Sequence, residues 1–239
     1  MAQYVNLSVV GSAAWWAERL TRQQAMHTRS LTMDAINQAA CRILDRDGID
    51  SLTMRRLATE LDSRASSLYR HVTGREELLV HVTDHILGEI STPEQHTHWQ
   101  QSIEQIAISL RQAMIRHPWI TQAGIQSPLF GPNAMRLREL FWRPMDQAGY
   151  PPEVTVRTYY AVLHYTICSA LLALTAFPPQ YRDPQQRPST DLDKLLTLLP
   201  ADKYPTVVKL GGHALHPDLE RDFLQGLRAL IESFAASEA

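Results

Sequence analysis

Hydrogen-bond donors concentrate on one side of residues 53–72, whose sequence is TMRRLATELDSRASSLYRHV. Apolar residues recur at helical spacing on both sides of Asp62 and Ser63, which predicts two short helices joined by a tight turn. The outward positions of the second helix then carry hydroxyl, guanidinium and imidazole groups. Such groups donate hydrogen bonds to phosphates and to base edges. The pattern predicts recognition of duplex DNA, and an ordinary helical hairpin is the alternative.

The predicted contacts divide into phosphate-binding residues and residues that read bases. An Arg70→Ala change should relax or abolish sequence selection, whereas Arg56→Ala should weaken binding of all duplexes alike. The predicted DNA-binding residues are Thr53, Arg55 and Arg56 for phosphates, Ser66, Ser67 and Arg70 for the groove, Tyr69 and His71 chiefly for the flanking backbone, and Arg64 at the turn.

The residues before this segment predict a supporting helix and a fixed start for the next one. Thr32 can cap the supporting helix, and Gly48 provides a signal for its end. Thr53 can cap the second helix, with Leu52 and Leu57 at the spacing of a hydrophobic staple.

A long fourth helix is predicted after the recognition segment. Thr73 and Glu76 have capping-box spacing, and apolar residues continue at helical spacing as far as Ile90. In the turn, Asp62 is one of the few residue types that adopt the left-handed conformation at low cost.

Charge is distributed unevenly along the 239 residues, although the net charge is only −2. Residues 1–75 contain ten arginines and seven acidic residues, giving +3, so residues 76–239 carry −5. The excess positive charge therefore lies in the part of the chain that is predicted to meet DNA.

The strings GIDSLTMRRLATEL and SSLYRHVTGREELL, in this order and spacing, resemble the DNA-binding module of the tetracycline-repressor (TetR) family of bacterial transcription regulators. The resemblance covers roughly residues 31–90. It implies an all-α protein with an N-terminal three-helix helix-turn-helix domain, a connecting fourth helix, and a larger helical domain that binds a ligand and dimerises. The family usually has Gly where this chain has Asp62, and often Pro or Gly where it has Ser66. These departures leave the operator sequence open.

Residues 97–239 resemble the C-terminal domain of the tetracycline-repressor subgroup, on the strings HWQQSIEQIAISLRQAMIRHPWI and PNAMRLRELFWRPMDQAGY. Helices are expected near 99–117, 133–148, 153–177 and 217–236, with a short Leu-rich helix and a break at 209–212 before the last. In the tetracycline repressor, a His about two turns past the first string helps to hold a drug-bound magnesium. Gly124 and Ile125 stand there in this chain, so we expect neither that ligand nor a metal.

Two long helices predict an intersubunit four-helix bundle. The helix at 153–177 is apolar on nearly every side, and the helix at 217–236 has a broad apolar face. The resemblance implies that they dimerise and place two recognition helices about 34–36 Å apart on a palindromic site. The alternative is that both helices belong to the core of one subunit.

The effector pocket is expected among the aromatic and Met-rich inner helices, although ordinary core packing is the alternative for every candidate residue. The effector is an unknown small molecule. The candidate ligand-binding residues are Trp99, Met114, Trp119, Phe130, Met135, Phe141, Tyr160 and His164.

Other functions have weaker signals. His81 and His85 have the spacing of a metal-binding pair, but no Cys lies nearby and Asp84 falls between them on the helix, so no metal or cofactor is predicted. No phosphate loop or nucleophile elbow indicates an enzyme. A helical interaction protein that has lost DNA binding is the other alternative, and Arg64, Arg70 and Arg75 argue against it.

Cys41 and Cys168 are expected to be buried thiols in a cytoplasmic protein without a membrane span. Residues 1–30 have two interpretations. Arg22 and Arg29 could form an arm in the minor groove, or the extension could be loose or packed on the surface.

Overall fold

The computed structural model describes residues 9–23, 32–91, 98–125, 129–175, 190–214 and 218–236, in which all regular structure is helical. This confirms the predicted all-α fold. The helices are α1 (Ala13–Gln23), α2 (Met33–Asp47), α3 (Met54–Glu60), α4 (Ala65–Leu68), α5 (Arg75–Leu87), α6 (Trp99–Arg116), α7 (Ile120–Ile125), α8 (Pro132–Gln147), α9 (Pro152–Thr175), α10 (Thr190–Leu198), α11 (Pro205–Ala214) and α12 (Leu219–Ala236).

The chain divides into two compact units, Met1–Tyr159 and Tyr160–Ala239. In the first unit, α5 packs against α2, α6, α7 and α8, so the predicted connecting helix lies at the centre of the unit. Ile36, Leu57, Leu68 and Leu78 are fully buried there. Their burial removes the apolar faces of α2, α3, α4 and α5 from water, which is the main driving force for assembling this unit.

The predicted helix starts on either side of α2 and α3 are confirmed. The Thr32 hydroxyl accepts a hydrogen bond from the Ala35 N–H at 3.2 Å, and the Thr53 hydroxyl accepts one from the Arg56 N–H at 3.1 Å. Leu52 and Leu57 are both 0% exposed, as expected of a hydrophobic staple. Each cap satisfies one N–H group that the helix leaves unpaired, which fixes where the helix begins.

The prediction that Glu76 pairs with Thr73 in a capping box at the start of α5 is wrong. The Glu77 carboxylate, not that of Glu76, accepts hydrogen bonds from the Thr73 N–H at 2.9 Å and from the Thr73 hydroxyl. Glu77 is 1% exposed, whereas Glu76 lies in solvent. The helix begins at Arg75, so Glu77 rather than Glu76 is the acidic side chain turned back towards Thr73.

The predicted long helices of the C-terminal half are found as α6, α8, α9 and α12, within two residues of their expected ends. The predicted break at 209–212 is wrong, because α11 runs through it. A Cβ atom at Gly211 would lie 2.5 Å from a methyl carbon of Leu196, so this glycine permits close packing of α10 and α11. The proline-rich connection near 178–190 lies largely outside the described residues.

The 24-residue helix α9 is less buried than its composition predicted. Among the described helices it is the one whose length and composition would suffice to cross a membrane, and 28% of its most apolar window is buried in the chain. Cys168 is exposed, contrary to the expectation of a buried thiol. Cys41 is buried as predicted, and burial, followed by the charges of Asp45 and Glu89, raises its thiol pKa to about 12.

Within the second unit, α9 and α12 meet at Gly226. A Cβ atom there would lie 2.1 Å from the Tyr165 hydroxyl, and this hydroxyl donates to the Asp222 and Phe223 carbonyls, each at 3.2 Å. The Tyr165 and Phe223 rings stack at 5.8 Å. The small residue thus allows the tyrosine to cross the neighbouring helix.

Candidate DNA-binding surface

The turn between α3 and α4 has the geometry that a helix-turn-helix requires. Asp62 has a φ of +46°, which confirms the predicted left-handed residue. The Asp62 N–H donates to the Thr59 carbonyl at 3.1 Å, and the Ser63 N–H donates to the Ala58 carbonyl at 2.9 Å. These bonds satisfy the end of α3 while the chain reverses direction.

The recognition segment presents a polar face backed by a buried apolar face. Leu68 and Val72 are 0% and 1% exposed, so they fix the rotation of α4 and of the turn that follows it. Tyr69 is 54% exposed, and Ser66 and Arg70 also lie in solvent. Of the remaining predicted contacts here, Ser67 and His71 are half-buried, and Arg64 is exposed.

A cleft of about 650 Å³ lies where phosphate contacts were predicted. Arg55 is exposed beside it, whereas the Arg56 guanidinium forms an ion pair with Asp47. A phosphate that binds Arg56 must therefore compete with this carboxylate. The cleft is lined by Arg46, Thr53, Arg55, Arg56, Thr59 and Glu60.

Arg75 has a structural role instead of serving as a free cation. Its guanidinium donates to the carbonyls of Leu52 at 3.0 Å and Ile49 at 2.7 Å. These bonds connect the first turn of α5 to the loop before α3. The positive charge of Arg75 remains near the surface, but its donors are already partly used.

The ionisation of His71 differs from that of an exposed imidazole. Partial burial lowers its pKa, and the charges of Arg70 and Arg19 lower it further. The Arg19 guanidinium also donates to the His71 carbonyl at 2.5 Å. His71 thus offers a neutral ring at the end of the recognition segment.

Glu77 is a buried carboxylate that joins several elements behind this surface. It pairs with Arg19 and lies 3.8 Å from Nε2 of His81. Burial alone would raise the Glu77 pKa, but nearby His81, the hydrogen bonds from Thr73 and the charge of Arg19 outweigh burial and lower it to about 2. The folded state therefore favours the ionised form.

This pKa shift predicts acid-dependent stability. Above pH 4.5, the ordinary value, the stabilisation is fully present, and it disappears as pH falls towards about 2. We expect Glu77→Gln to lower the free energy of unfolding at pH 7 by about 3 kcal/mol and to lose that deficit in acid. Urea unfolding at pH 7, 4.5 and 3 measures the difference. The exposed neighbour gives a matched control, Glu76→Gln, and equal behaviour of the two variants would contradict the prediction.

The ends of α5 and α8 cap each other. The Asp84 carboxylate of α5 accepts from the Asn133 N–H at 3.2 Å, the Asn133 amide at 3.2 Å and the Ala134 N–H at 3.0 Å, at the start of α8. In return, the Arg136 guanidinium donates to the carbonyls of Leu87, Gly88 and Ile90 at 2.8–3.2 Å. Neither role was predicted from the sequence, because the partners lie 46–50 residues away along the chain.

Asp45 connects α2 to the segment after α6. Its carboxylate accepts from Nε1 of Trp119 at 2.7 Å and contacts Nδ1 of His117 at 2.7 Å. The other ring nitrogen of His117 lies 3.3 Å from the Glu89 carboxylate. His117 is the C-terminal cap residue of α6, at the end of the helix expected near 99–117.

The predicted ligand-binding residues occupy two kinds of environment. Trp99 packs edge-on against Tyr150 at 5.1 Å, and Phe141 packs edge-on against Tyr159 at 5.1 Å, so both have neighbours expected of core residues. Their assignment to a pocket remains a prediction. The buried candidates are Trp99, Met114, Trp119 and Phe141, and the exposed candidates are Phe130, Met135, Tyr160 and His164.

His81 packs between tryptophans instead of pairing with His85. Its ring lies 5.0 Å from Trp16 and 5.4 Å from Trp15. Across the described residues, no group of three or more His, Cys, Asp or Glu side chains is arranged to hold a metal ion.

A helix-turn-helix head with a basic cleft, followed by a helical domain, is the arrangement of a DNA-binding transcriptional regulator. The family profile described as "Bacterial regulatory proteins, tetR family" matches residues 36–82, and "Tetracyclin repressor-like, C-terminal domain" matches 92–237. The chain belongs to the tetracycline-repressor (TetR) family, as its motifs predicted.

Individual relatives agree with this assignment. An HTH-type transcriptional regulator of Saccharopolyspora erythraea is 36% identical over 140 residues, which cover 58% of this chain and 59% of that protein. The HTH-type transcriptional repressor DrrR1 of Streptomyces coeruleorubidus is 28% identical over 218 residues, covering 85% of this chain and 77% of the repressor. These relatives are named as regulators, not enzymes.

The fold is also similar to solved structures. ActR of Streptomyces coelicolor, in complex with (S)-DNPA, aligns with a TM-score of 0.74 and 31% identity, covering 88% of this chain and 100% of ActR. A second structure of ActR contains actinorhodin, with a TM-score of 0.74 and 30% identity.

Proposed function

We propose that this chain is a dimeric cytoplasmic repressor that binds a palindromic operator and is released from it by a small molecule. The observation that carries the proposal is the exposed face of Ser66 and Arg70, held in position by buried Leu68 and Val72. We assign DNA binding to residues 31–90 and ligand binding and dimerisation to 97–239. Residues 1–30 form an extension before the DNA-binding module.

Selection from a random pool of duplexes at moderate salt tests operator binding. The expected result is enrichment of a palindrome whose half-sites are separated by about one helical turn of DNA. Competition with unrelated duplex then gives the specificity ratio, which is more informative than affinity alone. A protein that binds all duplexes equally would contradict the repressor assignment and favour the alternative of a helical interaction protein.

An uncovered ridge on α9 supports dimerisation. The ridge consists of side chains four residues apart, all exposed in the single chain. Such rows form the ridges that pack into the grooves of a second helix, and the apolar members would leave water on association. The members of the ridge are Val156, Tyr160, His164, Cys168 and Leu172.

A charge on this ridge should prevent dimer formation. Leu172 is 56% exposed in the single chain, and Leu172→Glu would bury a carboxylate in the proposed interface. The expected result is a monomer in sedimentation equilibrium, with loss of binding to the full palindrome. Leu198 is 80% exposed on α10, so Leu198→Glu is the matched control. A Leu172→Glu variant that stays dimeric would remove this ridge from the interface.

The proposed effector is an organic molecule bound in the C-terminal domain, by analogy with the actinorhodin and (S)-DNPA complexes of ActR. The mutual caps of α5 and α8 support a route by which such a ligand acts on DNA. Since α5 also packs on α2, a displacement of α8 would move the head and change the spacing of two recognition segments. A coupling free energy of about 1–3 kcal/mol would weaken operator binding roughly 5- to 150-fold.

A further inference from the structure

Helix α1 lies before both parts of the chain that match the family profiles, which are residues 36–82 and 92–237. It nevertheless packs as a structural element. Trp16 is 5% exposed, and its ring meets that of Trp15 edge-on at 5.0 Å. Both rings contact His81 of α5. The packing favours a docked extension over a loose one. Arg29, part of the predicted minor-groove arm, lies outside the described residues.

Arg19 extends the contact from α1 to the end of the recognition segment. One guanidinium nitrogen pairs with the buried Glu77 carboxylate, and another donates to the carbonyl of His71. The guanidinium also lies 5.0 Å from the centre of the Trp15 ring, in the range of a cation–π contact. Three neighbours thus restrict the position of a single side chain.

The two contacts of Arg19 act on adjacent parts of the backbone. His71 receives Arg19 directly, and Thr73 is held through its N–H and hydroxyl by Glu77. These residues separate the exposed Arg70 from the first turn of α5. Because α4 itself has only four residues, its orientation depends on contacts outside the helix.

We propose that α1 is an added element of the DNA-binding head and that Arg19 is a positioning residue for the recognition segment. Arg19 acts through His71 and Glu77 and does not read DNA itself. The inference rests on the proposed operator binding, and it assigns a role in specificity to a helix outside the family's DNA-binding module.

Arg19→Gln tests the role by removing the charge and the paired contacts. We expect affinity for the selected operator to fall about tenfold, the size of one charge-assisted hydrogen bond, with little change for random duplex. Arg19→Lys retains the charge but lacks the planar fork, so it should give an intermediate loss. Arg143 pairs with Glu139 on the surface of α8, and Arg143→Gln is the control of equal charge change.

Salt dependence distinguishes positioning from direct phosphate contact. If Arg19 only positions the segment, Arg19→Gln leaves the slope of log affinity against log salt unchanged. A slope reduced by about one, with equal weakening of all duplexes, would overturn the proposal. An unchanged ratio of operator to random binding would also overturn it.

Hydrogen exchange in the DNA-free protein provides a readout that is independent of operator binding. The N–H groups of Tyr69 and Val72 bond to Ala65 and Leu68 at the end of the recognition segment. Arg19→Gln should raise their exchange rates at least severalfold while amides of α8 keep wild-type rates. Unchanged exchange would overturn the inference. Wild-type protein without operator preference would instead defeat the proposed function.

Discussion

Arg70→Ala is expected to lower affinity for the selected operator by about 1–3 kcal/mol, or roughly 5- to 150-fold, with a much smaller loss for random duplex. Arg70 is exposed beside buried Leu68, so its guanidinium can reach the groove without disturbing the packing of α4. A guanidinium makes two parallel hydrogen bonds to guanine, and their loss affects one base pair more than the phosphate backbone. Competition binding against duplexes altered at single positions should reveal relaxed selection at one position in each half-site.

The structure shows that Arg55→Ala is a better comparison for Arg70→Ala than Arg56→Ala. Arg56 is one of three predicted phosphate contacts, with Thr53 and Arg55, but its guanidinium already pairs with Asp47. Arg55 lies in solvent beside the same cleft, so Arg55→Ala removes a phosphate ligand more cleanly. It should weaken operator and random duplex alike and reduce the salt slope by about one, whereas Arg70→Ala should retain the slope. Equal loss of selectivity in both variants would contradict this division of roles.

Local patterns predicted the DNA-binding head well because short-range forces determine it. The Thr32 and Thr53 caps, the Leu52–Leu57 staple and the left-handed Asp62 each depend on residues only a few positions apart. Spacing in the sequence is therefore enough to predict them. The break predicted around Gly211 was wrong because glycine also serves close packing, here against Leu196.

Long-range polar contacts were not predictable from spacing. Glu77 was missed in favour of Glu76 because α5 begins at Arg75, and its ion pair with Arg19, 58 residues earlier in the chain, could not be predicted from local spacing. Asp84 stood out only as an interruption between His81 and His85, and its partners follow about 50 residues later. A carboxylate is buried only where hydrogen-bond donors surround it, and the sequence does not reveal which donors the fold brings to it. The ligand pocket remains a prediction for the same reason.

Asp84→Ala is expected to reduce the free energy of unfolding by about 2–3 kcal/mol, since it leaves the start of α8 without its cap inside the protein. Asp84 is 5% exposed, and all three of its donors belong to Asn133 and Ala134. Burial raises the pKa of Asp84, whereas the backbone hydrogen bonds from Ala134 and Asn133 oppose the increase. The stability of this contact therefore depends on hydrogen bonds that replace water around the carboxylate.

A second substitution, at Gly131, distinguishes loss of the Asp84 hydrogen bonds from a general loss of packing. A Cβ atom at Gly131 would lie 2.1 Å from Oδ1 of Asp84, so Gly131→Ala alone should force the carboxylate away from its donors and cost a similar amount. In an Asp84→Ala background the obstructing carboxylate is absent. The double variant should thus be destabilised by clearly less than the sum of the two single variants, with the difference measured by urea unfolding. Strict additivity would contradict the geometry, and with it the proposed route from α8 through α5 to the DNA-binding head.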